Sequence, residues 1–316
     1  MCTALSFDHF FGRNMDLAHP FNHSPIYIPK GFEYLNRACD KHETVKRSIL
    51  GMGTMIDNHP AMAEAMNEHG LGCAGLNFTE YAYFEPNPVP NKTNIAPYDF
   101  ILWVLSNFDT VYEVEEAIKD IELVNIPINK KTPIPTLHWM ISDKSGHSIV
   151  VEKTRERLSS YKNPVGVMAN DPTFDWHLTN LNEYIKLSPA PPKATIWSDH
   201  PLTALGIGAG TLGIPGDFSS VSRFVRTAFL RANLPKNHSL AQFFHILDNA
   251  AMVRGGVLTE DGAYDQTLYS SCMDLKNGIY YYKTYENNRI NAVRFCNDEK
   301  IRVFPYLDEQ DINFQN

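Results

Sequence analysis

The sequence predicts an α+β fold in which mainly antiparallel sheets carry helices segregated onto their faces. Three observations predict it. Strand-like and helix-like patterns come in blocks, in the order strands, helices, strands, helices, strands, instead of regular βαβ alternation. Short turns containing Gly or Asn join neighbouring strand patterns as hairpins. A chain of 316 residues that is 43% hydrophobic and 20% charged can bury a large core and lies far from the composition of disorder.

Taken in order, β-rich runs bounded by Gly, Pro, Asn or Asp fall at 4–7, 24–29, 48–55 and 72–78, so the first quarter reads as strands. The pattern turns helical over 97–108. Thr110 and Glu113 then form a capping box ahead of Val111, Val114, Ile118 and Ile121, which fall at helical spacing. Segments 137–142 and 147–152 flank Asp143-Lys-Ser-Gly146 as a hairpin, and a strand follows at 165–168. A helix is expected over 176–187, with Leu178, Leu181 and Ile185 on one face, stopped by Ser188-Pro-Ala-Pro-Pro192 because proline lacks the N–H donor. Residues 188–217 are rich in Pro and Gly and hold no long period, which suits a linker or an extended functional loop. Helices at 220–233 and 239–249 each open on a serine able to cap them. The tail returns to strands at 266–272, 279–284 and 290–295, the first two joined through Asn277-Gly278. There is no internal repeat, and nothing before residue 188 reads as a linker, so a single domain over 1–316 is expected.

Composition excludes several functions. Lys+Arg 28 against Asp+Glu 36 gives a net charge of −8 with no basic cluster, so a nucleic-acid backbone or an anionic membrane surface would be repelled. The longest apolar run, the six residues 100–105, falls far short of the roughly 20 needed to span a bilayer. The first residues turn polar too soon for a secretory signal, so a cytoplasmic location is expected, with no stable membrane insertion. The five cysteines are odd in number, scattered and without a C-x-x-C pair, which argues for free thiols over disulfides or structural zinc. Gly51-Met-Gly53 and Gly206-Ile-Gly208 complete no dinucleotide fingerprint, and there is no P-loop. Among the twelve histidines His19 and His23 fall at His-x-x-x-His spacing, but both lie among turn residues, and the histidines read as scattered surface residues. Glu113, Glu115 and Glu116 read as solvated charge on a helix face.

Cys2 stands apart because its position is chemical information. Removal of Met1 is favoured when the next side chain is small, and it would leave one residue with both a thiol and a free α-amine. With reference pKa values of about 7.7–8.0 for the amine and about 8.5 for the thiol, the amine can accept the thiol proton. Nucleophile and base would then share a residue, the N-terminal counterpart of a Cys–His pair. Arg13, in Phe11-Gly-Arg-Asn-Met-Asp16, falls on the second strand of an N-terminal hairpin opposite the first residues, where its charge suits a thiolate. Asp16 follows three residues later and can accept a hydrogen bond from the amine. The alternatives are a cysteine without a role and a surface ion pair worth under about 1 kcal/mol.

These residues resemble the choloylglycine hydrolases, N-terminal-nucleophile amidases that include bile salt hydrolases and penicillin V acylases. The resemblance covers nearly the whole chain. Its motifs are Met1-Cys-Thr, Phe11-Gly-Arg-Asn-Met-Asp16, Asn67-Glu-His-Gly-Leu through Ala74-Gly-Leu-Asn77-Phe, Leu137-His-Trp139, the run from Val167 through Asn170 to Asp175, and Gly213-Ile-Pro-Gly-Asp217 with Ser222-Arg223-Phe. It implies a four-layer αββα sandwich, Cys2 as nucleophile, Arg13 and Asp16 as its neighbours, and Asn77 (backbone N–H) and Asn170 (side-chain amide) as oxyanion donors. Arg223 matches a further active-site arginine. It implies no metal or organic cofactor, no autocatalytic propeptide, a small amphipathic amide as substrate, and a homotetramer in which the 188–217 excursion reaches a neighbour.

Within the family, Phe-Gly-Arg-Asn and Ala-Gly-Leu-Asn77 are similar to bile salt hydrolases, whereas Trp176-His-Leu-Thr-Asn-Leu and Gly256-Val-Leu-Thr are similar to the acylases. Ala169 departs from the threonine common before the family's asparagine, and Gly206-Ile-Gly208 resembles loops associated with taurine preference. The balance favours bile salt hydrolysis, with penicillin V acylase as the alternative. A non-catalytic acyl or steroid binder, or a thiol-redox protein, is the reading from another class.

Overall fold

The computed structural model describes residues 1–309 and 315, and its strands assemble into two large sheets. The first runs in the order Val167–Met168, Cys2–Phe7, Phe10–Leu17, Tyr264–Asp274, Ile279–Thr284, Asn291–Arg294, with Val257–Leu258 paired to Tyr264–Asp274. The second runs Leu158–Lys162, Ser148–Lys153, Leu137–Asp143, Leu71–Asn77, His59–Asn67, Ile49–Ile56, Ser24–Ile28, Arg302–Val303. Every pairing between neighbours in both orders is antiparallel.

Among the described residues five α-helices flank them: α1 (Phe100–Asn107), α2 (Val111–Ala117), α3 (Phe174–Asn180), α4 (Ser220–Ala232) and α5 (Leu240–Asp248). Helices α4 and α5 lie on the first sheet, and α1 and α2 on the second. The layers are therefore αββα. Strand alternation shows how both faces of a sheet are covered: Met140 joins one buried cluster with Phe11, Leu50, Leu76 and Phe224, while its neighbours Trp139 and Ile141 join another with Phe100, Leu102 and Val104. A sheet covered on both sides reads as unbroken apolar runs, which is why these strands stood out in the sequence.

The capping box forms as expected, with Glu113 N–H donating to Thr110 Oγ1 at 3.3 Å and Thr110 N–H donating to Glu113 Oε2 at 3.1 Å. Several expectations need correction. The helix after it ends earlier: Ile121 opens the Ile121–Leu123 strand, although it is buried as its spacing implied. Helix α3 yields to a 3₁₀ turn at Leu181–Tyr184, and Ile185, expected on a buried face, is 83% exposed. Ser219, not Ser220, caps α4 by accepting from Ser222 N–H. The 188–217 excursion contains a small hairpin in which Thr195–Trp197 pairs antiparallel with His200–Leu202. Four histidines expected at the surface, His23, His59, His138 and His177, are buried. The His59–Asn67 strand escaped notice because its Ala, Met and Glu are helix formers, and pairing on both sides overrides that preference.

Candidate active site

The site grows from the N-terminal hairpin. Its register pairs Cys2 with Met15 and Ala4 with Arg13, so strand alternation sets Cys2, Ala4, Arg13 and Met15 on the face toward the second sheet. Thr3, Asn14 and Asp16 face the other way. Arg13 is the diagonal neighbour of Cys2, and its guanidinium Nη2 donates to Cys2 Sγ. Nη1 donates to Gly75 O at 2.5 Å, and Nε to Asn14 O at 3.2 Å.

A gap in the second sheet makes room for this side chain. The Leu71–Asn77 and His59–Asn67 strands pair only from Glu64↔Ala74 to Met66↔Gly72. Phe78 N–H donates to Thr136 O at 2.8 Å, so the backbone groups of even-numbered residues here point toward the Leu137–Asp143 strand. Those of Gly75 and Asn77 then point into the gap. Gly75 O takes the Arg13 guanidinium there, and the Asn77 N–H faces the same space.

Arg13 is 1% exposed, and a buried cation needs partners. Glu64 Oε2 lies 3.9 Å from Nη1 on the side away from the sulfur. Burial works against the guanidinium charge, but Cys2, Glu64, Tyr269 and Asp16 together hold it more firmly protonated than usual. Burial pushes the Glu64 carboxyl up, opposed by Arg13 and by hydrogen bonds from Tyr280 Oη (2.6 Å) and Tyr269 Oη (2.9 Å).

Asn170 follows the Val167–Met168 strand, which pairs alongside Cys2–Phe7. Its Oδ1 accepts from Cys2 N at 2.6 Å and from Arg223 Nη2 at 2.9 Å, and its Nδ2 donates to Asn77 O at 2.8 Å. Arg223 sits in the first turn of α4, fully buried, with Nη1 donating to Cys2 O and Thr3 Oγ1 and Nε to Phe218 O at 3.0 Å. Burial lowers its basicity, and Asp16 is the chief group restoring it. Asp16 Oδ2 lies 3.8 Å from Arg223 Nη1, and Oδ1 accepts from Thr267 Oγ1 at 2.6 Å. Burial raises the Asp16 carboxyl against Arg223 and the chain terminus.

All six residues singled out in the sequence thus meet in one connected network. Asp16 stands on the opposite face of the strand from the sulfur and reaches Arg223. With Met1 in place, the nitrogen of residue 2 donates to Asn170, while the Met1 amine donates to Asp16 O at 2.5 Å. A cleft of about 680 Å³, its open mouth included, ends on Cys2, Arg13 and Asn77, and Met15, Leu17, Phe21, Met62 and Leu137 give it apolar walls. An apolar group bearing a carbonyl suits the chemistry of that lining.

Three contributors were missed. Glu64 was detectable only as a lone acid among Ala63, Ala65 and Met66, in a strand that was itself not foreseen. The Gly75 carbonyl carries no sequence signal. His177 falls in Trp176-His-Leu-Thr-Asn-Leu, and nothing in that segment's sequence separates it from a surface histidine.

Known proteins resemble this chain along its whole length. The sequence profile described as linear amide C–N hydrolases, choloylglycine hydrolase family, matches residues 2–312. The chain is 48% identical to a bile salt hydrolase/transferase of Clostridium perfringens, covering all of both chains. It is 40% identical to a protein of the same name from Lactiplantibacillus plantarum, over 93% of this chain and 92% of that one. The crystal structure of a mutant conjugated bile acid hydrolase from Clostridium perfringens superimposes with a TM-score of 0.95 at 48% identity over all of both chains. Penicillin V acylase from Agrobacterium tumefaciens shares the fold, with a TM-score of 0.71 at 23% identity over 93% of this chain and 86% of that one.

Proposed function

The chain belongs to the choloylglycine hydrolase family of linear amide C–N hydrolases, and we propose that its substrates are conjugated bile salts, cleaved through a thioester on Cys2. The observation that carries this reading is the Arg13 guanidinium on Cys2 Sγ at an apolar-walled cleft. A steroid acid supplies the apolar body such a cleft takes, and its amide carbonyl would lie at the sulfur.

In the proposed cycle Met1 has been removed, and the α-amine of Cys2 takes the thiol proton. The thiolate attacks the amide carbonyl, with Arg13 holding positive charge against the sulfur. The resulting oxyanion accepts from the Asn77 N–H and from the second N–H of Asn170 Nδ2, the first being used on Asn77 O. The α-ammonium passes its proton to the leaving nitrogen, and glycine or taurine departs. Water, giving a proton to the amine, then cleaves the thioester to the free acid and restores the thiol. A free amine in place of water would re-form an amide. Asp16 Oδ2, without a hydrogen-bond partner among the described residues, is available to the ammonium, and Arg223 holds the Cys2 carbonyl and Asn170 Oδ1 in register.

Rates on taurocholate, glycocholate and penicillin V, measured side by side for the wild type and Cys2→Ser, test both parts. Bile salts should be cleaved faster, and Cys2→Ser should be inactive while keeping its melting temperature. Faster cleavage of penicillin V would reverse the substrate assignment, and turnover by Cys2→Ser would remove the thioester. We also propose a homotetramer acting in the cytoplasm. Among the described residues no helix is long and apolar enough to cross a membrane. Trp197, Leu205, Ile207 and Leu212 are 73%, 101%, 98% and 90% exposed on the 188–217 excursion, a surface suited to burial against another copy. Light scattering on the purified protein decides that point.

A further inference from the structure

Behind Asn170 lie three buried titratable side chains that take no part in the steps above: His138, Glu152 and His177. His177, on α3, brings its Nε2 within 2.9 Å of the Asn170 backbone carbonyl oxygen. A carbonyl can only accept, so Nε2 carries the proton and Nδ1 is bare. The imidazole stacks on Phe224, with centroids 4.6 Å apart and planes at 22°. Phe224 follows Arg223 on α4, so one turn of that helix supplies both the guanidinium that holds Asn170 Oδ1 and the platform for the ring that holds Asn170 O.

The remaining pair anchors this arrangement. Glu152 Oε1 accepts from the Phe174 N–H at 3.0 Å, tying down the start of α3, and lies 3.1 Å from His138 Nδ1. His138 in turn stacks on Phe78, with centroids 4.3 Å apart and planes at 6°. Phe78 directly follows Asn77. A continuous buried path therefore links the segments that carry both proposed oxyanion donors.

We propose that His177 is a positioning residue that fixes the Asn170 peptide, and through it the Asn170 side-chain amide, for the acyl-transfer step. The proposal rests on the amide-hydrolase reading above. Without the imidazole N–H, the Asn170 carbonyl is a buried acceptor lacking its partner, and the peptide is free to turn. The side-chain amide would swing with it. A misplacement of about 1 Å at an oxyanion donor costs on the order of 10²-fold in rate. Burial holds the ring's pKa down at about 4, so the neutral, donating form is the one present at neutral pH.

Substitution can separate the donor from the ring. His177→Phe keeps the stack on Phe224 and loses the donor, His177→Gln keeps an amide N–H at similar reach, and His177→Asn carries one on a shorter side chain. The expected result is a kcat lowered about 10- to 100-fold in His177→Phe with KM within about twofold, and most of that loss recovered in His177→Gln but not in His177→Asn. Alkylation of Cys2 by iodoacetamide should stay within about twofold of the wild-type rate in all three, because the sulfur itself meets Arg13 and Asn170 reaches only the nitrogen of that residue. The fraction of Cys2 labelled at the wild-type rate, read on its own peptide and apart from exposed Cys39, counts intact sites, so kcat is stated per intact site even if one variant folds poorly. An unchanged kcat in His177→Phe, or equal losses in the Gln and Phe variants per intact site, would overturn the proposal. The parent reading fails separately, through turnover by Cys2→Ser.

Discussion

Acid should destabilise this fold through His177, by an amount its burial sets. The ring is 1% exposed, and burial, with His138 and Arg223 nearby, lowers its pKa from about 6.5 to about 4 against the favourable bond to the Asn170 carbonyl. Above pH 6.5 the imidazole is neutral in folded and unfolded chains alike, and its contribution is fully present. As pH falls from 6.5 toward 4, the unfolded chain binds the proton first, so stability is lost across that window. A shift of about 2.5 units at 1.36 kcal/mol per unit is worth about 3 kcal/mol. Asp16, Glu64 and Asp99 act in the opposite sense, since their folded-state pKa values are raised and the folded chain takes up their protons first. The wild-type curve alone therefore mixes both signs, and the difference between wild type and His177→Gln isolates the histidine. Urea unfolding followed by tryptophan fluorescence at pH 7, 6, 5 and 4 should show the variant gaining about 3 kcal/mol on the wild type over that range. Curves that stay parallel would mean that the imidazole does not pass from shared neutrality to a penalised charge, and the burial argument would be wrong.

Other perturbations follow from the same contacts. Asn170→Ala should lower kcat by roughly 10²–10³ through loss of an oxyanion donor, and it should cost about 1–3 kcal/mol in stability because Arg223 Nη2 and Cys2 N lose their acceptor. Arg13→Leu should destabilise by about 3–5 kcal/mol, since it leaves Glu64 buried without its cation. Adding Glu64→Gln should restore part of that stability and none of the activity, as chemical denaturation and a turnover assay on the double variant will report. Gly12→Ala would set a Cβ 2.0 Å from Ser271 O, so the central strands of the first sheet must move apart, at a cost of about 1–3 kcal/mol visible in thermal melts.

What could be read from the sequence divides along contact distance. The tie between Cys2 and Arg13 is a hairpin property: two adjacent strands, a short turn and period-two alternation put both side chains on one face, and all three are local. Asn77, Asn170 and Arg223 come from distant parts of the chain, and no periodicity connects them; family resemblance alone selected them. Glu64 and His177 escaped because what marks them is burial, and burial is a property of the assembled layers. A glutamate on an Ala- and Met-rich strand and a histidine on a short helix look ordinary until a second sheet closes over the first and α4 over the third helix. Ile185 failed in the converse way. Its spacing was helical, but the helix had already tightened into a 3₁₀ turn that carries it outward.

The same layering explains how a site so rich in charge is tolerated in a sheet-on-sheet interface. Arg13 and Arg223 are both among the most deeply buried side chains, and isolated cations there would cost several kcal/mol each. Neither is isolated, and their anions differ. Arg223 meets Asp16 and the oxygens of Phe218, Cys2, Thr3 and Asn170 on the helix side of the first sheet, and this set closes on itself. Arg13, on the inner face, shares Glu64 with two phenols, and that carboxylate sits at 3.9 Å, too far for a direct hydrogen bond. Its charge is thus only partly answered by protein, and the remaining field falls on the sulfur at the cleft. Removing the phenols should therefore strengthen the field at the sulfur: Tyr269→Phe with Tyr280→Phe takes away two of the groups that hold the buried Glu64 carboxyl down, so it takes up a proton and no longer answers Arg13. Faster alkylation of Cys2 by iodoacetamide in that double variant is the expected outcome, and an unchanged rate would show that Glu64 does not govern how much of the Arg13 charge the sulfur feels.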